Sequence, residues 1–189
     1  MLLFLMDGQP RNIVGFVILG IACAVSSYEI NSLIKHTYNI TDFNFKVFIS
    51  PVTEELIKFI PPLFFGLLAS DKRKNIIGVS MAVGIGFAVM ENIYLLVINC
   101  SYVNIFWALM RGFSTSLMHG ITTTVVGLGM TFIHKKKLSY TGIFGLASAS
   151  ITYHGIYNLL VESKYEYIGI FIPILTYLVI LLSARKITD

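Results

Sequence analysis

The sequence predicts an all-α protein: a polytopic transmembrane bundle of about six spans. Of its 189 residues, 56% are hydrophobic and only 13% are charged, and the mean hydropathy is +0.77. Soluble domains carry about 25% charged residues, and long apolar runs separated by short polar segments are typical of proteins with several membrane spans. We therefore expect residues 1–189 to form a single transmembrane helical domain in the cell membrane.

Six apolar segments approach the roughly 20 residues that a bilayer core requires. The second segment contains Pro51 and the pair Pro61-Pro62, which should perturb its helix. The fourth is overlong, so we expect it to tilt or to begin with an interfacial turn near Arg111. The expected limits are 13–34, 47–69, 76–98, 105–133, 140–162 and 167–184.

Basic residues predict the orientation of these spans, because short cytoplasmic loops are enriched in lysine and arginine. Alternating spans put the main basic clusters on one side, and Lys35 and Lys46 on the other side are the mild exception. Both termini are therefore expected in the cytoplasm, and the net charge of +4 is no sign of a nucleic-acid partner. The clusters are Arg11, 71–75, 134–138 and 185–186.

Two cysteines and two histidines lie where no catalytic role is expected. Cys23 and Cys100 fall in or beside spans, and we interpret them as small buried apolar side chains rather than a disulfide. His36 and His134 each adjoin a lysine in a loop and should be solvated.

Several ionisable residues fall inside the spans, where a charge costs at least a few kcal/mol and usually marks a functional site. Their positions converge on one layer in the outer half of the bilayer. Scattered polar substitutions would have no reason to share a depth, so one polar site is expected. The residues are Glu54, Glu55, Lys58, Glu91, Arg111, His119 and His154.

The motif Glu54-Glu55-x-x-Lys58 places the lysine within reach of both carboxylates on a helix, at i,i+4 and i,i+3. Lys58 can offset one carboxylate, and the other can then bind a metal or take a proton from water. The two glutamates point about 100° apart and need not share a role. The alternative is a purely structural ion pair between one glutamate and Lys58.

The third span carries Phe87-x-x-x-Glu91-Asn92 after Gly84 and Gly86, which permit close helix approach. Glu91 could be a metal ligand, could orient a histidine, or could share a proton with another buried group. In the fourth span, Arg111 precedes His119 by two turns, and the alternative for Arg111 is snorkelling to the interface.

The fifth span carries His154-x-x-x-Asn158, which puts an imidazole and an amide on one helix face. This pair suits a metal site or the stabilisation of an oxyanion, and the alternative is a helix–helix hydrogen bond. Carboxylates and imidazoles together suit zinc or another divalent metal, with a glutamate to deprotonate water. The zincin motif His-Glu-x-x-His is absent.

These four motifs resemble those of the PrsW family of intramembrane proteases, which is related to the CAAX prenyl endopeptidases and bacteriocin-processing membrane proteins. The resemblance covers roughly residues 50–160, and the spans that carry the motifs cover roughly 47–162. Lys58 and Glu91 distinguish the chain from the CAAX group, which typically has arginine one position after Lys58 and histidine at the position of Glu91.

The resemblance implies a membrane-embedded endopeptidase that cleaves a membrane-anchored protein, with the lipid bilayer as its surroundings. It implies catalytic roles for Glu54, Glu55, Glu91, His119 and His154. Supporting roles fall to Lys58, Asn92, Arg111 and Asn158, and a metal would be bound by Glu55, Glu91, His119 and His154. The main alternative is an ion- or proton-coupled transporter or channel that uses the same buried residues. A non-catalytic scaffold is disfavoured, because burying these groups without a function is costly.

The orientation can be tested by cysteine labelling with a membrane-impermeant maleimide, in a variant that lacks both native cysteines. We expect Ser101→Cys to be labelled from outside intact cells and Arg73→Cys to be labelled only after permeabilisation. The reverse pattern would contradict cytoplasmic termini.

Overall fold

The computed structural model describes residues 10–69, 72–99, 104–134 and 140–188, and it confirms the all-α class. Six long helices, α1–α6, follow the order of the six predicted segments. Each predicted segment overlaps one helix, and the described residues contain no strand. The helices are α1 Pro10–Tyr38, α2 Ser50–Leu68, α3 Arg73–Asn99, α4 Ile105–His134, α5 Tyr140–Val161 and α6 Glu166–Thr188.

Two of the described helices have the length and hydropathy of a membrane span, over Ile13–Tyr38 and Arg73–Asn99. In α2, three charged residues interrupt the apolar sequence, and two of them, Glu55 and Lys58, are completely buried. Large apolar side chains instead cover much of the outside of the bundle, as expected for contact with lipid. Strongly exposed examples are Leu33, Leu67, Leu68, Val97, Ile105, Leu109 and Leu182.

The start of α2 differs from the expected limit of residue 47. A short helical turn over Asp42–Asn44 and a π-helical turn over Phe45–Ile49 precede Ser50. Pro51 lacks the backbone N–H that a regular helix would need at this point, so the chain enters α2 through a wider turn. Asn158 of α5 donates a hydrogen bond to the carbonyl of Lys46 at 2.9 Å, which fixes the turn beside α5.

Pro61 and Pro62 lie inside α2, which nevertheless continues to Leu68. Pro61 has no N–H to donate to the carbonyl of Ile57, four residues earlier. The Cys23 thiol of α1 lies 3.7 Å from this carbonyl oxygen and donates to it. Cys23 is a buried free cysteine, as predicted, whereas Cys100 lies outside the described residues.

Glycines bring the N-terminal half of α1 into backbone contact with α3. A side chain at Gly20 would overlap the carbonyl oxygen of Val83, and one at Gly86 would overlap that of Val17. Because only a hydrogen fits at either position, the two helices pack at their closest approach here. Further along, Ala24 packs on Phe87 and Tyr28 contacts Tyr94, so the contact positions rise together and α1 and α3 run parallel.

We expect Gly86→Ala to lower the melting temperature, because the added methyl group must push α1 away from α3 and overpacking costs about 1–3 kcal/mol. Gly15→Ala is the matched control, since nothing lies within 4 Å of a methyl group at that position of α1. Melting curves of the purified variants in detergent compare the two. Equal melting temperatures for Gly86→Ala and wild type would contradict the tight contact.

Candidate active site

A cavity of about 490 Å³ lies between the C-terminal halves of α1 and α3, the π-helical turn and α5. Charged side chains from the ends of these elements surround its mouth. Glu54, Glu91 and Arg111 also line the cavity, as do the apolar side chains of Phe87 and Met90. The mouth residues are Lys35, Asp42, Lys46 and Glu162.

Four helices converge at the deep end of this cavity. Glu54, Glu55 and Lys58 come from α2, Glu91 from α3, His119 from α4 and His154 from α5. Close packing of α3 on α4 makes this possible, because a side chain at Gly84 would overlap the carbonyl of His119. These six residues were predicted from the sequence to share one depth in the bilayer, and the structure places them in one cluster.

Lys58 and Glu55 form a fully buried ion pair at the centre of the cluster. The Lys58 ammonium lies 2.7 Å from Glu55 Oε1, and neither side chain is exposed. The same Nζ lies 2.5 Å from His119 Nδ1 and 4.9 Å from the centre of the Phe87 ring. Lys58 is thus paired with one glutamate of the motif, as expected, and Glu54 is not part of this ion pair.

Hydrogen bonds determine which nitrogen of each histidine carries a proton. Lysine ammonium can only donate, so His119 Nδ1 accepts from Lys58 and His119 Nε2 donates to Glu91 Oε2 at 2.5 Å. His154 Nδ1 donates to Glu55 Oε1 at 2.8 Å. A ring that carries its single proton on Nδ1 has the lone pair on Nε2, and this atom has no hydrogen-bond partner among the described residues.

Glu54 is held from the opposite side by a chain of hydrogen bonds that reaches α1. The hydroxyl of Ser50 donates to Glu54 Oε1, and the amide of Asn31 donates to Ser50 Oγ at 3.0 Å. The hydroxyl of Thr53 donates to the side-chain oxygen Oδ1 of Asn31. Glu54 Oε2 is then left buried and without a partner in the described structure, 3.7 Å from His154 Nε2.

Asn31, Ser50 and Thr53 were absent from the sequence-based site, as was Thr122, which donates to Glu55 Oε1 at 3.2 Å. A polar signal existed for Asn31, which is a buried amide inside an apolar span. Its partner could not be inferred, because the contact depends on how α1 crosses α2. Serine and threonine are too common in transmembrane helices to be singled out by type.

The donor atoms fit a divalent metal. Glu54, His119 and His154 each offer a ligand atom, and these atoms all lie within 4.8 Å of one another. One carboxylate–histidine contact, Glu55 Oε1 with His154 Nδ1, matches the pattern in which a carboxylate orients a metal-binding imidazole through its other nitrogen. The unpartnered atoms Glu54 Oε2 and His154 Nε2 would both be satisfied by a cation.

The position of Glu55 differs from that expected of a metal ligand. Its Oε1 receives hydrogen bonds from Lys58, Thr122 and His154, and the whole side chain is buried behind the histidine. Glu54 takes the place beside the free nitrogen of His154 instead. Glu54 and Glu55 lie on different sides of His154 because adjacent side chains on a helix point about 100° apart.

The supporting residues brace the helices around the cluster. Asn92 donates to the carbonyl of Gly112 at 3.3 Å, which joins α3 to α4. Arg111 stacks over Trp107 at 5.5 Å from the ring centre and also lines the cavity. Asn158 serves as the hydrogen-bond donor to the π-helical turn. His36 is exposed, as predicted, and the side chain of His134 lies outside the described residues.

The sequence model of one protein family, described as PrsW family intramembrane metalloprotease, matches residues 8–184. The chain belongs to the PrsW family. The resemblance inferred from the four motifs is thereby confirmed over most of the chain. Neither the curated proteins nor the solved structures give a match. Membership of this family makes the protein a membrane protease. The exposed apolar surface of the bundle agrees with a position in the bilayer.

Replacing Lys58 with methionine should destabilise this PrsW protein strongly, because Glu55 would then be a buried charge without its counterion. Breaking a buried ion pair in this way costs about 3–5 kcal/mol. Lys46→Met is the matched control, since Lys46 pairs with Glu162 at an exposed position, where such pairs contribute about 0–1 kcal/mol. Thermal melting in detergent measures both, and a Lys58→Met variant as stable as Lys46→Met would contradict the central role of the pair.

Proposed function

We propose that this PrsW protein hydrolyses a peptide bond of a membrane-anchored protein at the Glu/His cluster beneath the cavity. The observation that carries the proposal is the pair of buried, unpartnered atoms Glu54 Oε2 and His154 Nε2, with His119 beside them. Unsatisfied polar atoms are costly inside a membrane bundle and are retained where a ligand completes them. The family assignment supports the same chemistry.

A divalent ion such as zinc would be held by Glu54, His119 and His154. The chemistry it supplies when bound is polarisation of the scissile carbonyl group and activation of water. If His119 bound the ion through Nε2, its ring proton would move to Nδ1, and Lys58 would then donate to Glu55 and not to His119. The Glu91 carboxylate would be released from its hydrogen bond to Nε2. Glu55 then acts as a positioning residue, because its bond to His154 Nδ1 keeps the lone pair of Nε2 available.

Glu91 is the best placed general base among the carboxylates. Its side chain is 26% exposed, against 13% for Glu54 and none for Glu55, and it lines the cavity. In this proposal Glu91 accepts a proton from water as the water oxygen attacks the scissile carbonyl carbon. Glu91 then returns the proton to the leaving nitrogen as the C–N bond breaks, so one water is consumed for each bond.

Arg111 offers positive charge to the substrate in the same cavity. Its Nε is buried and has no hydrogen-bond partner among the described residues, and the guanidinium is placed by the Trp107 ring. A substrate carbonyl oxygen is a suitable acceptor for this group. The snorkelling alternative gives no account of its position in the cavity wall.

The transporter alternative would use the same buried charges as a relay, and the scaffold alternative would leave them without chemistry. The family match favours the protease over both. The donor set adds to this preference, because two imidazoles and a carboxylate around unpartnered atoms suit a hydrolytic metal site.

The test measures cleavage of a single-span reporter protein that is reconstituted in liposomes together with the protein. We expect Glu91→Gln to lower the cleavage rate by about 10²–10⁴, the usual contribution of a general base, without lowering the melting temperature. Glu54→Gln and His154→Ala should also lose zinc, measured by elemental analysis. Glu29→Gln, an exposed glutamate of α1, is the matched control and should cleave like wild type.

Wild-type cleavage by both Glu54→Gln and Glu91→Gln would exclude this mechanism. Wild-type zinc content in His154→Ala would exclude the proposed ligand set while leaving proteolysis to be explained by the carboxylates alone.

A further inference from the structure

The contact between α1 and α3 changes character along its length. The N-terminal halves touch through backbone atoms at Gly20 and Gly86. One helical turn further, Cys23 and Ala24 pack on Phe87 and close the bottom of the cavity. Beyond this point the helices separate, and the cavity occupies the space between them. The two helices therefore form a V whose open end lies over the active site.

A tyrosine pair bridges the open end of the V. The rings of Tyr28 on α1 and Tyr94 on α3 lie 5.1 Å apart, and both line the cavity. Tyr28 is 50% exposed and Tyr94 is 40% exposed. Ile93, next to Tyr94, is exposed and does not line the cavity, whereas the exposed Val25 lies at the cavity edge. The pair therefore lies where the cavity meets the apolar outer surface of the bundle. The tyrosine pair thus separates the cavity from the hydrocarbon.

The other edge of α1 is held much more firmly. Asn31 bonds to Ser50 and Thr53 at the start of α2, and Lys35 forms an ion pair with Asp42 just beyond. A side-chain hydrogen bond between membrane helices contributes about 0.6–2 kcal/mol, and a partly exposed ring contact contributes about 0.5–1.5 kcal/mol. Two hydrogen bonds and an ion pair therefore hold this edge more firmly than the single ring contact holds the other. Separation of the helices is therefore easiest at the tyrosine pair.

The size of the cavity restricts what can enter it. A helix with side chains is about 10–12 Å wide, so a volume of about 490 Å³ holds roughly one helical turn. An extended segment fits better, and proteolysis also requires an exposed peptide group. The lining combines the apolar side chains of Phe87, Met90 and Leu95 with the polar groups of Glu54, Glu91 and Arg111. This mixture suits a segment with an apolar side chain and free backbone polar groups.

Resting on the proposed function, we propose that the substrate is an unwound segment of a single-span membrane protein, which enters the cavity from the lipid between α1 and α3. Parting of Tyr28 and Tyr94 opens this route, and the contact at Gly20 and Gly86 is the fixed end about which the helices separate. The chain segment that follows the unwound residues remains helical in the bilayer, beside Val25 and Ile93.

The route is tested by linking the two helices with a short bis-methanethiosulfonate reagent in a variant without native cysteines. Tyr28→Cys/Tyr94→Cys should lose cleavage of the single-span reporter by about tenfold or more when linked, since an opening step can limit turnover. Reduction should restore the rate of the same sample. A short water-soluble peptide with the same cleavage sequence should be cleaved at an unchanged rate, because it enters at the charged mouth.

The matched control links α1 to α2 away from the cavity. Phe16 and Phe65 have ring centres 5.2 Å apart, so Phe16→Cys/Phe65→Cys places two thiols at a similar separation without lining the cavity. Linking this pair should leave both rates unchanged. Unchanged reporter cleavage in the linked tyrosine-position variant would overturn the lateral route, and so would equal inhibition of reporter and peptide.

A second measurement does not depend on proteolysis. A photoreactive benzoylphenylalanine at Val25, in the Glu54→Gln background, should capture the single-span reporter, and linking positions 28 and 94 should prevent capture. The same group at Phe65 should capture none. Capture at Val25 without cleavage by the parent protein would contradict the proposed protease and retain the lateral route. Cleavage by the parent without capture at Val25 would contradict the lateral route and retain the protease.

Discussion

The buried ion pair of Glu55 and Lys58 is the interaction on which the rest of the site depends. Two charges inside a membrane bundle are tolerated only when each is offset and hydrogen-bonded. Glu55 meets this requirement with bonds from Lys58, Thr122 and His154, and Lys58 meets it with Glu55 and His119. Satisfying one pair of charges therefore fixes both imidazoles, and with them the side of each ring that faces the cavity.

This arrangement explains why four helices must contribute. No single transmembrane helix can present two carboxylates, an ammonium group and two imidazoles to one point, because only residues three or four apart share a face. α2 supplies the charge pair, and α4 and α5 each supply one histidine to it. Glu91 of α3 then binds the outer nitrogen of His119. Gly84 allows α3 to come close enough to α4 for this contact, and Gly86 allows the same close approach between α3 and α1.

Much of this could be predicted from the sequence. Hydropathy defined six segments, and each overlaps one helix, because a helix in lipid must satisfy its own backbone and so follows the apolar run closely. The start of α2 was missed since a proline near a helix N-terminus allows either a regular or a widened first turn. The grouping of Glu54, Glu91, His119 and His154 could be inferred from their common depth, which depends only on helix rise and topology.

The division of roles between Glu54 and Glu55 could not be inferred from the sequence. Both can reach Lys58 on an ideal helix, and the choice depends on how α2 is rotated about its own axis. That rotation follows from contacts with other helices. On one side, Asn31 of α1 donates a hydrogen bond to Ser50, which donates to Glu54. On the other side, Thr122 and His154 donate hydrogen bonds to Glu55. Adjacent carboxylates that point about 100° apart can then take different functions. Glu55 is fully enclosed and hydrogen-bonded to its neighbours, whereas Glu54 lines the cavity and keeps one buried oxygen without a partner among the described residues.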